Sequence, residues 1–515
     1  MKGEALIMAS EEEKLSALKF DISLKVNINI FKELFGKDRT VVIREFENKF
    51  NPNIKYCAIS IAGMIDKEQV NENIIAPLIN ANFNSISFME KVTSKNIMDL
   101  ITAKVVNSIS LQRASRLEDA VIKLLSGDTI ILIDGVTEAL LISADKWTIR
   151  AVDEPESERS IRGPRDGFTE NITVNLSLLR RRIISPDLKL EISELGSKTR
   201  TKICICYMDG IANPKILEEL RQRLKKIDLD GVLYPQTIEE YIKDCPLSIF
   251  KTIGSTERPD VAASRLLEGR IVLVCDGNPF VLTLPYILIE YFQAPDDYAN
   301  NYIFASFNRL LRYLAFFIGL SVPALYTAMI TFHQELVPTP LLLSINNARL
   351  GVPFPTVIEA TIMLIGFELL REAGVRLPKP VGQAVSIVGA LVIGEAAVTA
   401  RLISSVMVVM VAVTSISSFL VPKMIAPFII LRLGLLILSG FIGFYGYIFG
   451  IMGLFIYLMS MRSFGVPYTY GVGLIRAEEL KDTAVRAPWW YMKYRPKLIT
   501  KNSVRKDNSN KNNER

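Results

Sequence analysis

The chain has 515 residues, 50% hydrophobic and 22% charged, with a net charge of +6 and a mean hydropathy of +0.27. Roughly three domains fit that length, and the composition excludes a disordered chain, a collagen-like fibre, a small disulfide scaffold and a purely soluble enzyme. It suits a soluble part joined to a membrane part, since only 13 of the 152 residues from Leu310 to Met461 are charged.

The N-terminal flank, 1–19, has a short apolar stretch broken by Ser10 and Glu11–Glu13. It lacks a cleavage-site pattern, so no secretory signal is expected and the soluble part is expected in the cytoplasm. Within that part the segment Leu124–Gly135 returns as Leu266–Gly277, 142 residues on. Each copy reads as a helix end, a Gly C-cap, a buried strand and an Asp-Gly turn, at Asp134-Gly135 and Asp276-Gly277. Upstream, the strand pattern at Tyr56 resembles that at Lys202. A unit this long implies duplication rather than a solenoid. The expected fold is an α/β cytoplasmic domain of two tandem duplicated α/β subdomains, 20–145 and 195–300, followed by an all-α multipass transmembrane domain, 309–461.

Between the two halves, 146–194 reads as a linker. Its Glu154–Glu170 stretch is dense in charge, Pro and Gly and is expected to be a structured loop. Its charges either face solvent or make a subunit contact, with Glu154, Glu158, Arg159, Arg162, Arg165 and Glu170 as the candidates. Five cysteines lie in the soluble part, and buried free thiols are the expected state. With His333 the one histidine and no CxxC, GxxxxGK[ST] or GxGxxG, there is no material for zinc, triad or phosphate chemistry. No metal, cofactor or enzymatic activity is expected.

The membrane part opens with Leu314–Phe332, broken by Pro323, then a Pro-rich loop from Pro338 to Pro355 and the stretch Thr356–Leu370. Val381–Ala400, Leu402–Val421 and Met424–Ser460 follow, the last folding at Phe444–Gly446 if it holds two spans. Four to six spans result, and basic flanks on both sides favour an even number. The tail 462–515 carries 12 Lys/Arg against 5 Asp/Glu, which reads as a cytoplasmic flank near anionic lipid rather than a nucleic-acid site.

The most informative membrane segment is Gly382–Ala397. Gly382, Ser386, Ala390 and Gly394 recur every four residues with Gly389 beside them, a track that lets helices approach closely. Gln383 and Glu395 add isolated polar groups, and Val385, Val388 and Val392 could form an apolar constriction. Such a helix either packs or lines a narrow oligomeric pore. Glu359 and Glu368 lie either at the membrane interface or in a cation vestibule.

These residues, with several others, resemble a known family. Ile161-Arg-Gly-Pro-Arg-Asp-Gly-Phe-Thr-Glu170 is similar to the signature loop of the A subunits of GerA-type spore germinant receptors. So are Tyr234-Pro-Gln-Thr, Ser255-Thr-Glu-Arg-Pro-Asp260, Gln293-Ala-Pro-Asp-Asp-Tyr298, Pro353-Phe-Pro and Phe367–Pro378. The resemblance implies a multipass protein of the bacterial spore inner membrane, working with a transporter-like B subunit that binds germinant and a lipoprotein C subunit. It further implies a homo-oligomer, a pentamer, forming a ligand-gated channel for monovalent cations. A related channel that amplifies the germination signal, a non-conducting scaffold and a transporter are the competing readings.

Overall fold

In a computed structural model, residues 19–82, 97–106, 111–143, 155, 158, 160, 162–471, 482–492 and 494–501 are described, with the backbone alone for 379, 380, 383, 385 and 386. Two five-stranded sheets carry the soluble part. The first comprises β1 (Val41–Glu47), β2 (Lys55–Ile61), β3 (Leu111–Ala114), β4 (Asp128–Ile133) and β5 (Ala139–Ser143), in the order β1-β2-β4-β5-β3. The second comprises β6 (Leu188–Leu195), β7 (Thr201–Met208), β8 (Gly254–Thr256), β9 (Ile271–Cys275) and β10 (Val281–Leu284), in the order β6-β7-β9-β10-β8. The two orders are the same permutation, and every neighbour pair is antiparallel. Helices cover both faces of each sheet, which is why Ile130–Ile133 of β4 and all of β9 read as unbroken apolar runs rather than alternating ones.

The duplication extends to the polar detail. In the first unit, the N–H of Leu24 opens the helix Leu24–Phe35 by donating to Asp134 Oδ1 at 3.0 Å. In the second, Ile172 at the start of the helix Ile172–Arg182 donates to Asp276 Oδ1 at 3.0 Å. Asn27 and Asn175 each lock the chain ahead of their helix, pairing through the side-chain amide with the backbone of Asp21 and Thr169 respectively. The Asp-Gly turns thus bend at Gly135 (φ 83) and Gly277 (φ 82) and aim their carboxylates at helix N-termini.

The structure moves one expected boundary. The stretch expected as linker up to residue 194 contains the helix Ile172–Arg182 and most of β6, so the second subdomain begins near Ile172 rather than at 195. In sequence, the three consecutive arginines Arg180–Arg182 that end this helix read as charge facing solvent or a subunit contact. Arg180 is instead buried and ion-paired with Asp38 of the first subdomain, while Lys189 Nζ donates to Leu34 O at 2.9 Å. These bonds join the two subdomains.

The main helices of the soluble part are α1 (Leu24–Phe35), α2 (Leu117–Leu125), α3 (Ile172–Arg182), α4 (Pro214–Lys225), α5 (Pro235–Ile242) and α6 (Pro259–Leu267). The helical region follows with α7 (Tyr302–Phe332), α8 (Thr339–Arg349), α9 (Thr356–Arg376), α10 (Lys379–Thr399), α11 (Ser405–Phe419), α12 (Ile425–Ile442) and α13 (Phe444–Ser460). Helices Tyr302–Phe332 and Pro422–Ile442 are long and apolar enough to cross a membrane, and Ile387–Thr399, Ser405–Phe419 and Phe444–Ser460 are shorter apolar helices. Pro323 sits inside α7 without ending it, and the Pro-rich loop holds α8. The last apolar stretch does fold in two, at Gly443 (φ 68).

After α13 the chain returns to the second subdomain. Ser463 Oγ donates to Thr252 O at 2.6 Å and accepts from the N–H of Tyr286 at 3.1 Å. Thr500 bridges Ala212. Phe464, Val466, Tyr470 and Ile499 complete the core between β7, β9 and helices α4 and α5. The tail is therefore a structural part of the soluble domain as well as a charged flank. Both ends of the helical region are fixed to the same body.

Candidate functional site

Three assemblies connect the soluble domain to the helices. At the base of α7, Asp297 is buried and receives two arginines one turn apart. Arg312 Nη2 and Nη1 donate to its two oxygens at 2.5 and 2.8 Å, and Arg309 Nη2 donates at 3.2 Å. Arg309 is 0% exposed and also donates to Asp482 Oδ1 and O, both at 2.8 Å. Tyr298 Oη donates to Asp482 Oδ2 at 2.8 Å. One ionic joint thus holds the first long helix, the turn before it and the segment after the last. Arg309 and Arg312 stand at the edge of the long apolar stretch in the sequence; Asp482 carries no local signal, because its partner lies 173 residues away.

The second assembly is the signature loop. Glu158 accepts from Lys423 Nζ at 2.9 Å, from Thr256 Oγ1, and from the N–H of Glu257 at 3.3 Å. Lys423 occupies the turn between α11 and α12. Ser160 Oγ donates to Asp296 Oδ1 at 2.5 Å, just before α7. Arg258, buried, donates to Glu158 O at 3.3 Å and Pro164 O at 3.1 Å and clamps the loop onto the second subdomain. Glu158 therefore makes its contacts within the chain, whereas Arg162, Arg165 and Glu170 are exposed. Glu154 and Arg159 lie outside the described residues.

Burial raises the Glu158 carboxyl, but the Lys423 charge and the hydrogen bonds from Thr256 and Glu257 outweigh it and hold the group below its ordinary value of 4.5. A depressed folded value contributes stability that is present above the unfolded value and lost as pH falls through the folded one. The melting temperature of the wild type in detergent is expected to exceed that of Glu158→Gln at pH 7, with the gap closing as pH drops below the carboxylate range. A gap that persists unchanged at pH 3 would contradict the pairing.

The third assembly is α10. Two of its small residues serve the close approach of α9: a Cβ on Gly382 would lie 2.4 Å from Gly374 O, and one on Gly389 would lie 2.6 Å from Leu370 Cδ2. A Cβ on Gly394 would lie 3.7 Å from Val408 Cγ1 of α11. Most of the other described side chains of α10 are exposed. Val388 is 57% and Val392 55% exposed, and Ala390 and Glu395 are also exposed. The side chains of Gln383, Val385 and Ser386 lie outside the described residues.

The two carboxylates of α9 have separate surroundings. Glu359 is 0% exposed and accepts from the N–H of Ser404 at 2.6 Å and from Ser404 Oγ, with Arg349 Nε 3.8 Å from its other oxygen. It ties α8, α9 and the start of α11 together. Glu368 faces α12, with Arg371 Nε at 2.7 Å and Arg432 at 3.9 Å. Cys57, Cys204, Cys206 and Cys275 are buried free thiols. Among the described residues no group of His, Cys, Asp and Glu is placed to hold a metal.

A family model described as Bacillus/Clostridium GerA spore germination protein matches residues 29–498. The chain is 41% identical over 493 residues to Spore germination protein KA of Bacillus subtilis (strain 168), covering 95% of this chain and 89% of that protein. It is 37% identical over 507 residues to the Uncharacterized membrane protein YfkQ of the same organism, covering 98% and 97%. With Spore germination protein GerLA of Bacillus cereus it shares 34% over 452 residues, covering 87% and 90%. Among solved structures it is similar to the N-terminal domain of the A subunit of the Bacillus megaterium spore germinant receptor GerK3. That match has 32% identity and a TM-score of 0.42, covering 53% of this chain and 98% of the other.

Proposed function

The chain belongs to the GerA family of spore germination proteins, and from that premise we propose that it is the A subunit of a nutrient germinant receptor in the spore inner membrane, forming an oligomeric, pentameric channel that releases monovalent cations. A transporter-like B subunit would bind germinant and a lipoprotein C subunit would complete the receptor. The observation that carries the channel reading is α10, a 21-residue helix whose described side chains are mostly exposed away from its contacts with α9 and α11. Copies of the helix around an axis would cover that exposed face. Val388 and Glu395 are two turns apart and so share a face. A ring of valines with a ring of acids about 10 Å beyond it would make a dewetted gate beside a cation-attracting mouth.

The contacts support six crossings. The α11–α12 turn meets the soluble domain through Lys423, as do the base of α7 and the end of α13. The end of α7 at His333 instead meets the α12–α13 turn, with a Cβ on Gly443 falling 3.0 Å from the imidazole. The α10–α11 turn meets the start of α9 through Ser404 and Glu359. Helices α7, α9, α10, α11, α12 and α13 therefore alternate in direction, with both flanks on the cytoplasmic side and α8 lying across the far side.

Gating in this reading is mechanical. A displacement imposed on the soluble domain by its partners passes through the α7 joint and the Glu158–Lys423 contact to the helix bases, tilting the bundle that supports α10. The scaffold reading draws on the same ionic joint, which would hold the helices as a passive anchor. Spores carrying Val388→Ala separate the two. Cation release without germinant is expected from the channel, and wild-type tightness would count against a gate at this position.

A further inference from the structure

Between α9 and α12 lies a cavity of about 280 Å³, walled by Leu364, Ile365, Leu369, Ile429 and Leu433 and floored by Glu368, Arg371 and Arg432. Arg432 is 2% exposed, yet its guanidinium is poorly satisfied. Nη2 donates to Ser418 Oγ at 3.2 Å and stands 3.9 Å from Glu368, while Nε and Nη1 have no partner among the described residues. Glu368 is committed to Arg371 at 2.7 Å, and the neighbouring Glu372 to Arg376 at 2.8 Å. A buried guanidinium with five donors and one good acceptor carries a desolvation cost that a further anionic group would offset.

Depth and lining identify the group. Arg371 lies about 8 Å and Arg432 about 10 Å from the ends of α9 and α12 that face the soluble domain, at 1.5 Å per residue. That is the inner-leaflet side, just beneath the headgroup layer, where basic pockets between helices accept lipid headgroups. The walls above the arginines are apolar and suit acyl chains. We infer that this cavity binds one inner-leaflet phospholipid, its phosphate oxygens bonding to Arg432 and Arg371 and its chains lying along Leu364, Leu369 and Leu433. The lipid would bridge α9, which carries the α10 hairpin, to α12. This requires that the two helices lie in the membrane as read above, but not that the chain conducts, so lipid retention and ion current can fail independently.

The test uses the full chain, purified in detergent, stripped of lipid and titrated with phosphatidylglycerol, with bound lipid counted by native mass spectrometry. The wild type is expected to bind one lipid per chain at a concentration where Arg432→Met, which replaces the charge with an apolar group of similar length, binds at least tenfold less. Arg371→Gln, at a part-exposed position, keeps the test open if the first variant does not fold, and is expected to weaken binding in the same direction. Excess inorganic phosphate should not displace the lipid. Equal lipid binding by the wild type and both variants overturns the inference, as does displacement by free phosphate, which would make the site one for a soluble anion.

Discussion

Asp297→Asn is expected to destabilise the full chain by about 3–5 kcal/mol, the cost of breaking a buried ion pair by removing one partner's charge. Arg309 is 0% exposed and Arg312 only partly exposed, so neither can turn to water when the carboxylate is neutralised. Asp482, also bonded to Arg309, would compensate for one of the two arginines only. The loss should appear in thermal unfolding in detergent, and the segment around Asp482 should become susceptible to proteolysis while the first subdomain stays protected. The comparison is Asp230→Asn, which removes an exposed pair with Lys198 (side chains 77% and 78% exposed) and should cost under about 1 kcal/mol. Equal melting temperatures for the two variants would mean that the α7 joint is not where the helices are held.

The second large effect is expected at the far side of the bundle. A Cβ on Gly446 would lie 2.2 Å from Leu438 O, a backbone atom that can move only with the helix, so Gly446→Ala should open the α12–α13 hairpin at a cost of about 1–3 kcal/mol. A Cβ on Gly453, two turns along the same helix, would meet nothing within 4 Å. Gly453→Ala should therefore be neutral or slightly stabilising, because Ala is the better helix former. Thermal unfolding of the two variants side by side removes the propensity term from the comparison. A Gly446→Ala protein as stable as Gly453→Ala would show that the two helices do not approach as closely as described.

Much of this architecture is written in local patterns. The repeated strand and Asp-Gly turn announce two copies of one unit, because buried strands and positive-φ glycines depend on residues close in sequence. The small-residue track of α10 is legible for the same reason, and the structure uses Gly382 and Gly389 for close packing against α9. What stayed hidden depends on distant partners. Arg180 looks like solvated charge until Asp38, 142 residues earlier, is placed against it. Glu359 and Glu368 suggest one wet face, but each has its own partners on other helices, Ser404 and Arg349 for one and Arg371 and Arg432 for the other. The tail reads by its charge, yet Phe464, Val466 and Tyr470 enter the second subdomain's core while Tyr468 packs with Phe250, Tyr286 and Tyr291, partners more than 170 residues away.

In the proposed channel, this chain itself forms the ion path. The most direct test is the current carried by the purified full-length protein in planar lipid bilayers, wild type against Val388→Ala. A quiet wild type and a conducting variant are expected, since removing two methyl groups per chain from the valine ring lets water wet the constriction. Silence from both, with the protein confirmed as an oligomer, would contradict it and place the conducting path in another subunit.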